Sequence, residues 1–406
     1  MPEGDGASAM NGLSPKTMNP ELFETLTGWR RHLHANPAPT LDEGPTATYV
    51  AARLRELGVT EIAEGIGGHG LVATLRRGGG NRSVGLRADM DALPIQEAAT
   101  DLPWASTRPG VMHACGHDGH TVALLGAAAL LLEDKSWSGT VHLVFQPAEE
   151  GGGGARSMVA DGLFERFPMD RIFGWHNWPG LPVGTIAVHD GAVMAAGRRF
   201  EIVIRGHAGH AALPHLTRDP ILAAGHAITA VQSIVARSVD PMKTAVCSLT
   251  TIHGGEAMNQ IAAEVVLNGT IRFIDDEVGA LMIERLRAIA AGLEASFGVR
   301  AEVRVLSGVD ATINHPAERE LAAEAAAAVA PLRRDVGPAM TGEDFSAFLQ
   351  KVPGAFVWIG NGPAEGGREL HNPHYDFDDR VLPVASGYLA ETAKRALSAR
   401  DGSSGG

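Results

Sequence analysis

Apolar residues recur at three- and four-residue spacing between Asn19 and Gly58, at Leu22, Leu26, Trp29, Tyr49, Val50, Leu54 and Leu57, the period of an amphipathic helix. Short continuous apolar and β-branched runs follow at residues 71–75, 84–88, 141–145 and 172–175. A run with no polar face predicts a strand covered on both sides. Residues 121–132 are almost wholly apolar and alanine-rich, which predicts a helix buried between layers. Strands alternating with helices predict an α/β fold with a mostly parallel central sheet covered by helices.

The pattern changes after Met194. Strands are predicted at 200–204, 245–252, 265–273 and 301–306, with helices at 220–236 and 278–295. That order, β-α-β-β-α-β, is the split unit of a ferredoxin-like α+β module. From about Asn314 the first pattern resumes, with a helix at 318–329, a strand at 355–359 and a helix at 384–397. The expected organisation is a discontinuous catalytic, metal-binding domain over 19–193 and 308–400, interrupted by a lid and dimerisation domain over 194–307. Flexible ends are expected at 1–18 and 401–406. A length of 406 residues suits two domains, because single cores stop growing below that size.

Composition narrows the functional classes. Hydrophobic residues make up 45% and charged ones 20%, as in ordinary globular enzymes. A net charge of −13 with no basic cluster argues against nucleic acid as a partner. The start of the chain is polar, without the apolar core of a signal peptide, and no stretch approaches a membrane span. Cys115 and Cys247 are the only cysteines, too few for a disulfide framework. A cytoplasmic location is expected.

The chemistry is concentrated in His113-Ala114-Cys115-Gly116-His117-Asp118-Gly119-His120, which crowds thiol, imidazole and carboxylate groups into one run. Gln146-Pro147-Ala148-Glu149-Glu150, Gly174-Trp175-His176-Asn177 and Leu370-His371-Asn372-Pro373 follow further along the chain, each read as sitting directly after an apolar, β-branched run that predicts a strand. Ligands grouped at strand ends suit a hydrolytic metal site, since a rigid scaffold holds them while leaving a position open for water. A mixed thiolate, imidazole and carboxylate set fits zinc, manganese, cobalt or nickel. The alternatives are a histidine-rich polar loop and, for Glu149 and Glu150, a capping pair before the helix near Ala155. Cys247 lies in an apolar strand pattern and is expected in a core.

The ordered segments RRHLHANP, RADMDALP, HACGHDGH, QPAEEGGGGA, GWHNWP, GHAGHAALPH, GGEAMNQI, GTIRF, GEDF and LHNPHYDF together resemble one family. It is the family of metal-dependent amidohydrolases that includes hippurate hydrolase, bacterial N-acyl-amino-acid amidohydrolases and plant auxin-conjugate hydrolases, related to aminoacylase and a zinc carboxypeptidase. The resemblance runs from about Trp29 to Ala396. It implies two divalent metal ions held by Cys115, His117, Glu150, His176 and His371, with Glu149 as general base and Asp91 as the carboxylate that orients a ligand histidine. It further implies that His210 stabilises an oxyanion and that Asn259 and Arg272 hold a substrate carboxylate. The implied substrate is a small N-acyl-amino acid, and the implied assembly a homodimer through the inserted domain. A dipeptidase or carboxypeptidase using the same metals, and a metal-binding module without turnover, are the other readings. Asp89 and Asp118 stay open between an orienting role and satisfying loop donors, and His113 and His120 are expected to be supporting rather than ligating. The stretch Ala38-Pro39-Thr40-Leu41-Asp42-Glu43-Gly44 departs from the family's acidic, aromatic pattern. It is expected to lie away from the ligands and to bear on substrate preference or packing.

Overall fold

The computed structural model describes residues 18–99 and 101–398. The ends expected to be flexible lie outside these residues apart from Met18. The chain divides into two compact units. The first comprises the residues up to Val193, Ile313–Gly337 and those from Asp344 onward, and the second comprises Met194–Thr312 with Pro338–Glu343. The second unit thus extends beyond the expected end at 307. Its strand Arg300–Val309 crosses that point, and residues 338–343 return to it through backbone pairing, with Ala195 N–H donating to the carbonyls of Ala339 (3.1 Å) and Thr341 (3.0 Å). Backbone pairing of this kind leaves no apolar period for a sequence to display.

The first unit is built on an eight-stranded sheet ordered Glu61–Ile66, Gly70–Arg77, Gly139–Gln146, Ser83–Asp89, Arg171–Trp178, Gly354–Gly360, Ile186–Ala187 and Leu332–Arg333. The Gly139–Gln146, Ser83–Asp89, Arg171–Trp178 and Gly354–Gly360 strands run parallel. Antiparallel pairings join Glu61–Ile66 to Gly70–Arg77, Gly70–Arg77 to Gly139–Gln146 and Gly354–Gly360 to Ile186–Ala187, which makes the sheet mixed. The central strands are nearly continuous apolar runs because both faces are covered. Strand Glu61–Ile66, half exposed and carrying two glutamates, has no such run and was not expected.

The sequence patterns at 19–58 form two helices, Pro20–Ala35 and Gly44–Glu56, the first capped by the Asn19 side chain accepting from Glu21 N–H (2.9 Å). Helix His117–Glu133 is buried without a gap from His117 to Ala128, so it has no polar face to present. It packs on helix Val381–Ser398 and on the central strands. At Gly126 the two helices come so close that a Cβ would lie 2.2 Å from Ser386 Oγ.

In the second unit, four antiparallel strands lie in the order Ala245–Gly254, Glu264–Phe273, Ala196–Arg205, Arg300–Val309. That is the ferredoxin-like arrangement of the split unit. Helices Pro220–Ser233 and Asp276–Phe297 pack on the sheet, each capped by an aspartate, Asp219 and Asp275. Each unit has its own apolar core, and Cys247 is packed against that of the second.

Candidate metal centre

Neighbouring parallel strands deliver the candidate residues to one side of the sheet. Ser83–Asp89 leads into Asp91, Gly139–Gln146 into Glu149 and Glu150, Arg171–Trp178 carries His176, and Gly354–Gly360 precedes the loop bearing His371. The carboxyl ends of parallel strands are where an α/β sheet opens a crevice. Cys115 and His117 enter from the N-terminus of helix His117–Glu133. There Gly116 adopts a left-handed conformation (φ 95°), and a Cβ would lie 2.3 Å from Asn177 Nδ2. Among the described residues, the non-glycine residues with positive φ are Leu41 (71°), Ala148 (53°) and His371 (64°). Ala148 precedes the glutamate pair and His371 is itself a candidate ligand. Strained backbone therefore gathers where the candidate donors do.

The donor atoms of Cys115, His117 and His176 lie within 4.8 Å of one another, as do those of Cys115, Glu150 and His371 and those of His117, Glu149 and Glu150. All five expected ligands are thus brought together, and Cys115 belongs to two of the triads. His176 Nε2 is 3.4 Å from Cys115 Sγ, and His371 Nε2 is 3.2 Å from Glu150 Oε1.

Hydrogen bonding assigns the imidazole tautomers. His117 Nδ1 faces the Asp91 carbonyl (2.9 Å) and Oδ1 (3.2 Å), both acceptors, so it carries the proton. His176 Nδ1 likewise donates to the Asn177 carbonyl (2.6 Å). In its neutral form each ring has its lone pair on Nε2, and His117 Nε2 is buried without a hydrogen-bond partner. A buried, unpaired nitrogen beside a thiol and carboxylates fits a divalent cation. His120 differs. Its Nε2 accepts the Asn177 backbone N–H (3.0 Å) while Nδ1 donates to Asp89 (2.6 Å), so no lone pair is left.

The local charge is strongly negative. Burial disfavours an imidazolium at His117, but Asp89, Asp91 and Glu150 outweigh it and lift the pKa to about 10. Burial, then Glu150, Glu149 and Asp89, push the Cys115 thiol well above its ordinary value. Burial and then His120 hold His176 well below its usual range, as a neutral imidazole. A dication at these atoms offsets the negative potential that otherwise retains protons there, so metal affinity should rise with pH.

Residues 85–395 match the family described as Peptidase family M20/M25/M40. The chain belongs to this family. It is 39% identical to the N-acetyl-L-cysteine deacetylase of Bacillus subtilis (strain 168), over 94% of this chain and 90% of that protein. It is 38% identical to the hippurate hydrolase of Campylobacter jejuni, over 91% of this chain and 95% of that one. A solved Bacillus subtilis structure described as a dinuclear metal binding peptidase from the M20 family superposes with a TM-score of 0.82 at 36% identity, covering 93% and 99% of the two chains.

In this M20 chain Asp91 is the hub of the centre. Its Oδ1 accepts from Glu149 N–H (3.2 Å) and lies 3.2 Å from His117 Nδ1, while Oδ2 accepts from Glu150 N–H (3.0 Å) and Thr40 Oγ1 (2.8 Å). Burial alone would raise its pKa, yet these bonds, led by His117, hold it below the usual value. Thr40 belongs to the stretch expected to lie away from the ligands. The structure corrects that expectation, since Glu43 of the same stretch is buried and accepts from Ala148 N–H (2.9 Å), at the root of the glutamate pair.

Asp89 and Asp118 serve ion networks rather than loop donors. Asp89 pairs with buried Arg87 (2.8 Å) as well as His120. Asp118 pairs with His34 (2.9 Å), whose other ring nitrogen faces Glu97 (3.2 Å), and Arg30 stands 3.7 Å from it. Although burial opposes charge, the Asp118 and Glu97 hydrogen bonds raise the His34 pKa to about 9. His113, buried with neither ring nitrogen bonded, is driven by burial down to about 4 and stays neutral. Because the folded pKa of His34 is raised, its contribution is full below about pH 6.5 and is lost as pH rises through about 9, a term on the order of 3 kcal/mol. His34→Leu should cost about 3–5 kcal/mol at pH 6, having removed the imidazolium that bridges two buried carboxylates. The difference between wild-type and variant thermal midpoints should narrow from pH 6 to pH 9.5. An equal difference at both would show that His34 is uncharged.

In the second unit, the short ribbon pairing Gly209–His210 with Gln260–Ile261 brings His210 beside Asn259, whose carbonyl accepts from Ala211 N–H (2.9 Å). His210 Nδ1 accepts from Ala212 N–H (3.1 Å), so its proton sits on exposed Nε2. Arg272, on strand Glu264–Phe273, is half-buried. It donates to Thr270 Oγ1 and the Ile271 carbonyl and has no carboxylate partner among the described residues.

Sequence reasoning missed Asn177, Arg87, Gln146 and Asp344. Asn177 Nδ2 donates to the Cys115 carbonyl (2.6 Å) and its Oδ1 accepts from Tyr375 (2.7 Å). Arg87 and Gln146 hold Asp344 (3.4 and 2.7 Å), whose N–H points at Glu149 Oε1 (3.4 Å). A charged residue inside an apolar strand was the available signal for Arg87. Asp344 had none.

Proposed function

We propose that this metal-dependent hydrolase cleaves the amide bond of small N-acyl-amino acids to a carboxylate and a free amino acid. The observation that carries the reading is the pair of triads sharing Cys115. Using all five donors requires more than one tetrahedral ion, and Cys115, His117, Glu150, His176 and His371 would hold them. Divalent ions held there would polarise an amide carbonyl and make water acidic enough to ionise near neutral pH.

Glu149, adjacent to the ligand Glu150 but outside the Cys115 triads, takes the proton of the attacking water and returns it to the leaving amine. Asp91 holds His117 in the ligating tautomer and fixes the backbone of both glutamates. His210, with its proton on Nε2, donates to the developing oxyanion. Asn259 and Arg272 grip the α-carboxylate, and the absence of an acidic partner for Arg272 among the described residues supports this, since a planar fork binds a carboxylate bidentately. Exposed Ile221, Leu222 and Ile228 on helix Pro220–Ser233 support a dimer through the second unit. Both cysteines are free, in keeping with a reducing, cytoplasmic setting, and among the described residues no helix is long and apolar enough to cross a membrane.

The test is a panel of N-benzoylglycine, N-acetylcysteine, N-acetylmethionine, dipeptides and the α-carboxamides of each, with added Mn²⁺, Zn²⁺ or Co²⁺. Free-carboxylate N-acyl-amino acids should be preferred, and Arg272→Lys should not restore what Arg272→Ala loses. Equal kcat/KM for acids and carboxamides would remove Arg272 from carboxylate binding, and preference for dipeptides would favour the peptidase reading.

A further inference from the structure

Strand geometry places an aromatic shelf beside the centre. Trp178 lies two residues after His176 on strand Arg171–Trp178, and Trp358 is the parallel-strand partner of His176, so all three side chains share one face of the sheet. The Trp178 and Trp358 rings stack flat, with centroids 3.6 Å apart at 0°. His189 closes on Trp358 edge-on at 4.3 Å, and the Trp178 ring centroid is 6.1 Å from that of His176. Trp358 is buried, whereas Trp178 is partly exposed. The stack fixes the plane of Trp178, so little side-chain freedom is lost when a second ring packs on it.

We propose that Trp178 is a specificity-determining residue that receives a flat aromatic acyl group. This rests on the amidohydrolase reading above. A carbonyl at the donor cluster puts a group attached directly to it within reach of the side chain two residues beyond His176. The other arm of the substrate carries a carboxylate, and the shelf offers it no cation. His189 is kept neutral by burial, which lowers its pKa to about 4, and its Nε2 donates to the Gly337 carbonyl (3.2 Å). An uncharged aryl group suits this surface and an anion does not.

Binding of N-benzoylglycine, N-acetylglycine and N-acetylphenylalanine to metal-loaded Glu149→Gln protein, by titration calorimetry, tests the assignment without turnover. Adding Trp178→Leu should weaken N-benzoylglycine about 10-fold, while the two acetyl compounds change less than about 2-fold. Trp178→Phe should keep N-benzoylglycine affinity within about 3-fold, because a stacking ring remains. Unchanged N-benzoylglycine affinity, equal weakening of all three, or selective loss of N-acetylphenylalanine would each overturn the proposal. Binding of none of the three before Trp178 is altered overturns both this and the amidohydrolase reading, whereas tight binding without wild-type turnover overturns the activity alone.

Discussion

Glu149→Gln should lower kcat by about 10²-fold or more while the protein keeps its metal, because the substitution preserves shape and removes only the group that accepts a proton. Glu150→Gln should lose metal as well as activity, since its carboxylate lies in a triad with Cys115 and His371. The two side chains are sequence neighbours on one loop, so a general disturbance of that loop would affect both variants alike. Parallel measurements of kcat and bound metal separate the roles. Equal metal content and equal residual activity in the two variants would show that the assignment of base and ligand is wrong.

Asp91→Asn is expected to have the next largest effect. Asp91 meets four donors with two oxygens, His117 Nδ1, Glu149 N–H, Glu150 N–H and Thr40 Oγ1. An asparagine amide turns one of those oxygens into a donor facing donors, leaving at least one of them unsatisfied in a buried place. Loss of a carboxylate that orients a ligand histidine typically lowers metal affinity about 10–100-fold, and kcat should fall with it because the Glu149 backbone is released. Thr40→Val removes a single bond from the same hub and should do far less. Competition with a chelator of known affinity measures the first effect directly, and unchanged affinity in Asp91→Asn would mean that His117 is oriented by the Asp91 carbonyl alone.

How far these residues could be read from the chain depended on whether their neighbours left a pattern. The buried strands were visible because both faces are covered, which forces apolar residues at every position. The edge strand Glu61–Ile66, half exposed, could not show such a run, and the return of residues 338–343 to the second unit depends on backbone bonds. At the centre, Cys115, His117, Glu149, Glu150, His176 and His371 stood out because thiols, imidazoles and carboxylates are rarely grouped beside strand ends without a ligand. The groups that hold them did not stand out. Thr40, Asn177 and Asp344 are ordinary polar residues in loops and at a strand end, and they matter only through bonds to Asp91, Cys115 and Glu149 that are formed across long sequence separations. The motif segment from Arg30 to Pro37 has its explanation here too. It supplies Arg30 and His34 to the ion network around Asp118, the residue that follows His117 in the chain.

The most direct test of the central claim is the metal content of the purified chain, by elemental analysis after equilibration with Zn²⁺ or Mn²⁺ and removal of excess, alongside Cys115→Ala with its fold verified by circular dichroism. About two ions per chain are expected in the wild type, and fewer than about one in Cys115→Ala, because removing that sulfur takes a donor from both of its triads. A wild-type chain that holds no metal and keeps full activity after exhaustive chelation, or a Cys115→Ala chain that still holds two ions, would contradict it.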